Sequence, residues 1–394
     1  MKKNIFLLLF IFMESQILSQ SYQYRIESYN VFIQTQGFPP SLLNGYGNSG
    51  LFNDVANIGS VNPAALENFN KKAAGISYQF GTNLNNPFVT NVTYERINQI
   101  VPQSFGIVYP IDDLKIGLSM HQKYNTSTLF GPIPITTINN PDGTGDFYSP
   151  LYKSTVYNYS ITASYTLPVL FKNSFLSVGL RLGLDNLKEY DTFNITAIID
   201  ETVNSSDFAV GVMYTIKEEE TNYLQFGLSF ESELKFNKIT SWNLGGTIPE
   251  PTANGTQYIT DNSTPIELIA TFPSTLRFDF DISTNSKIKI LGSVSNIYWY
   301  PSTNLMNNQV EFTGSFVYLL NETFSPSIGF IYMDRRYDDN PILGGINTND
   351  VLITAGLVVK YDNLNIHFAL MDGHIFSNYF RKQTIVESSI SYNF

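Results

Sequence analysis

What most constrains this 394-residue chain is an alternation of period two that recurs from Lys72 almost to the end. In residues 175–185, Leu176, Val178, Leu180, Leu182 and Leu184 alternate with Ser177, Gly179, Arg181, Gly183 and Asp185. Successive side chains of a strand face opposite sides, so one face is continuous Leu and Val while the other is small, polar or charged. Residues 223–230 repeat this, with Leu224, Phe226, Leu228 and Phe230 against Gln225, Gly227 and Ser229. So do residues 276–282, where Leu276, Phe278, Phe280 and Ile282 oppose Arg277, Asp279 and Asp281. Near the end, Ile366, Phe368 and Leu370 alternate with Asn365, His367 and Ala369.

A soluble β-sandwich alternates too, but three properties favour a barrel in lipid. Many of these strands run to about ten residues, near the 9–11 that cross a bilayer and beyond the usual 5–6. Charged residues make up only 14% of the chain, against roughly 25% in soluble domains. The polar faces carry Arg and Asp, which suit a wet lumen, while a lipid-facing wall needs no charge. No apolar run reaches the roughly 20 residues of a spanning helix. Only helices and closed barrels satisfy every backbone group in lipid, so the expected fold is all-β, a transmembrane antiparallel β-barrel.

The connections alternate in length, as they do in outer-membrane barrels with short periplasmic turns and long outer loops. Short ones fall at residues 111–113, 168–173, 217–220, 284–286, 321–322 and 362–363. Long ones fall at 125–153, 189–205, 236–265, 301–308, 335–349 and 372–383. They are rich in Asn, Thr, Pro and Gly, which favours turns over regular structure. A simple count of alternating segments is odd, whereas single-chain bacterial barrels have an even number. Merging residues 88–97 with residues 103–110 into one long or kinked strand restores parity and gives about fourteen strands.

The N-terminus reads as a signal peptide over residues 1–20: Lys2 and Lys3 precede an apolar run from Ile5 to Met13, and Glu14 ends it. Residues 21–70 show no strand alternation and are rich in Gly, Asn and Ala. They include Gly45, Gly47, Gly50, Asn53, Asn57 and Gly59, and end on Asn62-Pro63-Ala64-Ala65-Leu66. Eight strands are filled by their own side chains and 16–18 leave an aqueous channel. A barrel of about fourteen strands over residues 71–394 leaves a lumen that this segment is long enough to plug. The chain stops at Ile390-Ser391-Tyr392-Asn393-Phe394, with Ile390, Tyr392 and Phe394 on one face. A last strand ending in an aromatic residue resembles the signal read by the outer-membrane barrel assembly machinery, which puts that role on Tyr392 and Phe394.

Three stretches resemble the FadL/TodX family of outer-membrane transporters of hydrophobic compounds. Asn62-Pro63-Ala64-Ala65-Leu66 is similar to the N-P-A-G-L hatch of that family. Residues 102–118, from Pro102-Gln103-Ser104-Phe105-Gly106 to Ile116-Gly117-Leu118, are similar to its second and third strands. Phe272-Pro273-Ser274-Thr275-Leu276-Arg277 with Ile297-Tyr298-Trp299 is similar to its L-P-x-x-L-R strand and the aromatic pair that follows. The resemblance implies a plugged outer-membrane barrel that passes fatty acids or aromatic hydrocarbons downhill, gated by residues 62–66. Two positions depart from it. Ala65 replaces Gly, which makes that turn stiffer, and Met120-His121-Gln122-Lys123-Tyr124 stands where the family has a Pro-Phe-Gly kink. The secretion-associated barrels of the PorV type carry a similar N-P-A segment, so an interaction barrel serving a secretion or surface-protein system stays open, as does a general porin.

Catalysis has little support. His121, His367 and His374 lie on separate segments, and no H-E-x-x-H, G-x-S-x-G or phosphate-cradling loop appears. With no cysteine there is no thiol nucleophile or Cys-ligated metal, and no cofactor is expected. A net charge of -11 argues against nucleic acid. Arg181 and Arg277 fall on lumen faces, where a guanidinium either meets a ligand carboxylate or pairs with Asp185, Asp279 or Asp281. Arg335 and Arg336 fall in an outer loop, and Glu218, Glu219 and Glu220 in a periplasmic turn. The expected surroundings are outer-membrane lipid and lipopolysaccharide.

Overall fold

The computed structural model describes residues 50–51, 54–60, 62–82, 94–96, 100–130, 133–134, 145, 147–148, 151–168, 173–192, 198–217, 223–240, 248–252, 255–259, 266–284, 287–298, 308–334, 350–376 and 384–394. The expected signal peptide, plug residues 21–49, Glu218–Glu220, Arg335 and Arg336 lie outside them.

Fourteen antiparallel strands close into a barrel. They are β1 (Ala73–Thr82), β2 (Ile100–Ile111), β3 (Leu114–Phe130), β4 (Leu151–Pro168), β5 (Ser174–Thr192), β6 (Ile198–Lys217) and β7 (Tyr223–Glu231). Then follow β8 (Ser274–Thr284), β9 (Ile288–Tyr298), β10 (Gln309–Tyr318), β11 (Phe324–Asp334), β12 (Asp350–Tyr361), β13 (Leu364–Asp372) and β14 (Thr384–Asn393). Each pairs with the next, and β1 closes the ring by pairing β14 from Ala73↔Asn393 to Thr82↔Thr384. Closure pairs the first and last strands, which would otherwise be the edges of the sheet. The Phe394 N–H extends this seam to the Lys72 carbonyl at 2.8 Å.

Burial inverts the pattern of a soluble protein. Leu182 and Leu184 are 53% and 55% exposed, whereas Arg181 and Asp185 on the opposite face are 1% and 0%. The exposed belt continues through Ile161, Leu228, Phe278, Ile328 and Phe368. Such a belt is costly in water and is the surface that lipid covers.

The short turns follow from residue type. Asp112, Asn173 and Asp362 take positive φ (51°, 63°, 49°), which Asn and Asp tolerate better than other non-glycine residues. In the β10–β11 turn, Asn321 Oδ1 accepts the N–H groups of Thr323 (2.9 Å) and Phe324 (2.7 Å).

At the outer end, the pairing of Tyr94–Arg96 agrees with the expected merger into one long strand, and the hairpin after β7 departs from the expected loop. Tyr94–Arg96 pairs with Thr128–Phe130 beyond the end of β2, one residue out of step with the β2–β3 ladder. It therefore prolongs β2 and is not an extra crossing. Where residues 236–265 are expected as an irregular loop, the described parts are paired: Leu234–Thr240 forms a hairpin with Ile266–Phe272, and Ile248–Thr252 pairs with Gly255–Ile259. The apolar side chains Leu234, Phe236 and Phe272 gave these arms something to bury, which overrode the turn-rich composition.

Candidate functional site

The lumen beside β3–β7 is layered, and β5 shows the order along one strand. Gly179 faces the plug, Arg181 and Asp185 face a charged layer, and Leu187 faces an apolar cluster.

The plug is a pair of 3-10 turns, Val55–Asn57 and Pro63–Asn68. Asp54 caps the first by accepting the Ala56 N–H at 3.1 Å. Asn62 caps the second by accepting the Ala64 N–H at 3.0 Å, and Pro63 sits first in the turn, where its missing N–H costs nothing. Ala64, Ala65 and Leu66 are buried. Ala65 packs with Leu51, Ala64 and Met213, and Leu66 with Val55, Ile58, Ala73 and Val108. No described non-glycine residue of the plug has positive φ, so Ala65 takes its place in the turn without backbone strain.

The wall receives the plug through glycines. A Cβ on Gly179 would lie 2.7 Å from the Pro63 oxygen, and one on Gly227 would lie 2.9 Å from Asn62 Nδ2 and from a Leu51 methyl. Gly106 and Gly211 sit closer still, to the Val55 carbonyl oxygen and Asn62 Oδ1. Asn62 Nδ2 donates to the wall carbonyls of Val212 (3.2 Å) and Leu228 (3.4 Å). On the opposite wall, Ser389 donates to Asp54 and Ser104 Oγ to Asn57 Oδ1 at 2.8 Å. The Gly50 N–H donates to Asp279 Oδ1 at 2.8 Å.

Above the plug lies the charged layer. Arg181 donates to the Gly59 carbonyl of the plug and pairs with Asp207 (2.9 Å) and Glu231 (3.0 Å). Lys123 lies 2.6 Å from Asp207, 2.5 Å from Glu231 and 3.8 Å from Asp185. Asn158 bridges Asp185 (2.9 Å) and Asp207 (3.0 Å). The layer thus sets two cations against three carboxylates. Arg181, Lys123, Asp185 and Asp207 are buried while Glu231 is 31% exposed, so the buried members hold one another by geometry, because removing one strands its partner.

Above the charges, Val156 and Leu187 of the wall meet Leu234, Phe236 and Phe272 of the hairpin, with Tyr124 and Val203 packed beside them. Tyr124 stacks on Phe272 with ring centroids 4.3 Å apart. The hairpin therefore folds inward over the lumen-facing ends of β3–β6. A second apolar patch, Ile331, Met333, Leu352, Met371 and Ile385, lines the outer ends of β11–β14.

One seam of the wall is interrupted. Among the described residues, the β2–β3 ladder stops at Ser104↔His121 and resumes only at Arg96↔Thr128. Pro102 has no N–H to offer there. The flanking ladders shift register at the same level, between Ser77 and Tyr78 on β1 and between Gln122 and Tyr124 on β3. The extra residues are Gln103 and Lys123, and bulges of this kind mark where a barrel wall bends.

The singled-out residues thus fall in different places. Asn62, Pro63, Ala64, Ala65 and Leu66 form the seated turn. Arg181 joins the charged layer to the plug, with Asp207 and Glu231 as partners, neither of them foreseen. Arg277 stands apart, half-buried, its Nε donating to Ser295 Oγ at 3.1 Å. Tyr392 and Phe394 face outward, their rings 5.2 Å apart. The three histidines do not meet: His121 lies under Gly59, His367 is 4.0 Å from Asp54, and His374 pairs with Asp372 at 2.9 Å. The glycine seat was legible as small residues on the lumen faces of neighbouring strands, but it was not recognised there.

No family model matches the chain, and no curated protein matches it. Solved structures do. The toluene transporter TbuX of Ralstonia pickettii superposes with TM-score 0.60 at 12% identity, over 91% of this chain and 99% of that one. The toluene transporter TodX of Pseudomonas putida gives 0.57 at 13%, over 95% and 100%. A FadL homologue of Pseudomonas aeruginosa gives 0.57 at 13%, over 89% and 98%. The likeness to FadL/TodX barrels is therefore present in the fold of nearly the whole chain.

Proposed function

We propose that this chain is an outer-membrane channel for passive uptake of hydrophobic small molecules, either long-chain fatty acids or aromatic hydrocarbons. The observation that carries this is the layering of the lumen. An apolar cluster stands at the outer mouth, and the axial way below it is closed by charges and by a plug in a fitted seat. A general porin has no use for such a plug. The toluene transporters of the same fold support the reading.

The path we infer starts at the apolar cluster. An apolar molecule cannot continue down the axis without displacing paired charges. The interrupted seam between β2 and β3 offers a sideways exit at that level, without the Pro-Phe-Gly sequence of the family. Residues 62–66 act as the hatch. The two cations of the layer already have carboxylate partners, so a ligand carboxylate meets no spare charge at Arg181. Arg277 is the better candidate for such a contact. Tyr392 and Phe394 serve assembly into the outer membrane, no catalytic step is assigned, and no energy source is needed for downhill transport. Uptake of oleate and toluene by cells making the wild type, a variant lacking residues 62–66, or no barrel tests this. Wild-type uptake no faster than in barrel-less cells would sink it.

A further inference from the structure

The first plug turn faces a buried carboxyl group that no cation balances. Glu387 lies on the lumen face of β14, two residues before Ser389, whose hydroxyl donates to Asp54 of the plug. It is 3% exposed, and among the described residues neither of its carboxyl oxygens has a hydrogen-bond partner. Register sets Gln79 of β1 and Ala369 of β13 opposite it, and neither carries a charge. Asp54 and Asn57 face it from the plug. Asp54 is buried too, but it is well served: the Ala56 N–H (3.1 Å), Asn57 Nδ2 (3.3 Å) and the Ser389 hydroxyl all donate to it. From β13, His367 brings Nδ1 to 4.0 Å from Asp54 Oδ2, and β12 adds Lys360, whose charge bears on His367.

An ionised carboxylate buried without donors or a counter-ion is strongly disfavoured, and a second carboxylate beside it adds repulsion. One proton removes both costs. With three donors around Asp54 and none around Glu387, that proton falls on Glu387, whose carboxyl then has an O–H to offer. We propose that Glu387 is a proton-binding site that fastens the plug to β14 only while it is protonated. This needs the seat of the plug but no particular ligand. When the plug is displaced, water reaches both groups, and a wet glutamate ionises near about pH 4.3. The seated state therefore holds one proton that the displaced state gives up above that pH. Displacement gains as pH rises, by up to about tenfold per pH unit, and is level at lower pH, where both states are protonated.

Spontaneous opening of the purified full-length barrel, recorded in planar bilayers without ligand from about pH 4 to about pH 9, tests this. Wild-type opening should rise with pH. Glu387→Gln imitates the protonated group and has no proton to lose, so at every pH it should open as rarely as the wild type does at the acid end. His367→Gln should keep the wild-type rise. Wild-type opening that does not change with pH overturns the proposal. So does an equal rise in Glu387→Gln, or a rise that disappears in His367→Gln. Heat-modifiability on gels over the same pH range checks that each variant is a folded barrel. Glu387→Ser, with the same flat profile expected, replaces Glu387→Gln if the latter is not. Because opening is read as ion current without ligand, a negative uptake assay and a flat pH profile are separate results.

Discussion

The seat of the plug makes a quantitative prediction at Gly179. In Gly179→Ala the new Cβ would stand 2.7 Å from the Pro63 oxygen, with the Pro63 carbonyl carbon and the Ala64 nitrogen closer still. Carbon contacts are comfortable at about 3.5–4.0 Å, so one side must retreat by roughly 1 Å. The atoms in the way are backbone, not the end of a flexible side chain. Those of the wall are fixed by ladders on both sides, from Ala163↔Leu180 on β4 to Gly179↔Gly211 on β6. The plug is the looser body, so the strain falls on it. Overpacking costs about 1–3 kcal/mol. At 1.4 kcal/mol per tenfold, that multiplies the open-to-closed ratio roughly 5- to 150-fold. Single-channel recording of the purified barrel reads this directly. Gly314→Ala is the control, because its neighbour is the edge of the Phe330 ring, which can turn aside toward lipid. Opening unchanged in Gly179→Ala, or raised equally in both, would refute a rigid seat.

Three other changes separate the layers. Asn62→Ala removes a cap and two bonds to wall carbonyls; at about 0.5–2 kcal/mol for the cap alone, it should raise conductance while the unfolding midpoint of the barrel in urea stays put. Asp207→Asn breaks the two close pairs that Lys123 (2.6 Å) and Arg181 (2.9 Å) make with one buried carboxylate, leaving Glu231 and Asp185 to balance them, and about 3–5 kcal/mol of lost stability should appear in that same urea midpoint. Leu180→Arg puts a charge in the middle of the exposed apolar run of β5, for about 2–4 kcal/mol in a bilayer, measured by refolding into vesicles.

Much of the wall could be read from the chain alone. Period two is a local property, so Leu176–Leu184 and Ser177–Asp185 declared their faces without knowledge of any neighbour. Strand parity then gave the strand number, since single-chain bacterial barrels have an even count and residues 88–97 had to join residues 103–110. The Asn62–Leu66 turn was legible for the same reason, since cap, proline and turn lie within five consecutive residues. What the chain alone did not decide is which lumen residues share a level. Arg181 was placed on the lumen face, yet its partners proved to be Asp207 and Glu231 and not the carboxylates expected, because the match depends on how β5, β6 and β7 are staggered. Strand register is a property of the closed ring, fixed by every ladder together. Only closure brings Gly59 under Arg181, folds Phe236 and Phe272 over the charges, and sets the Gln103 and Lys123 bulges on either side of one broken seam.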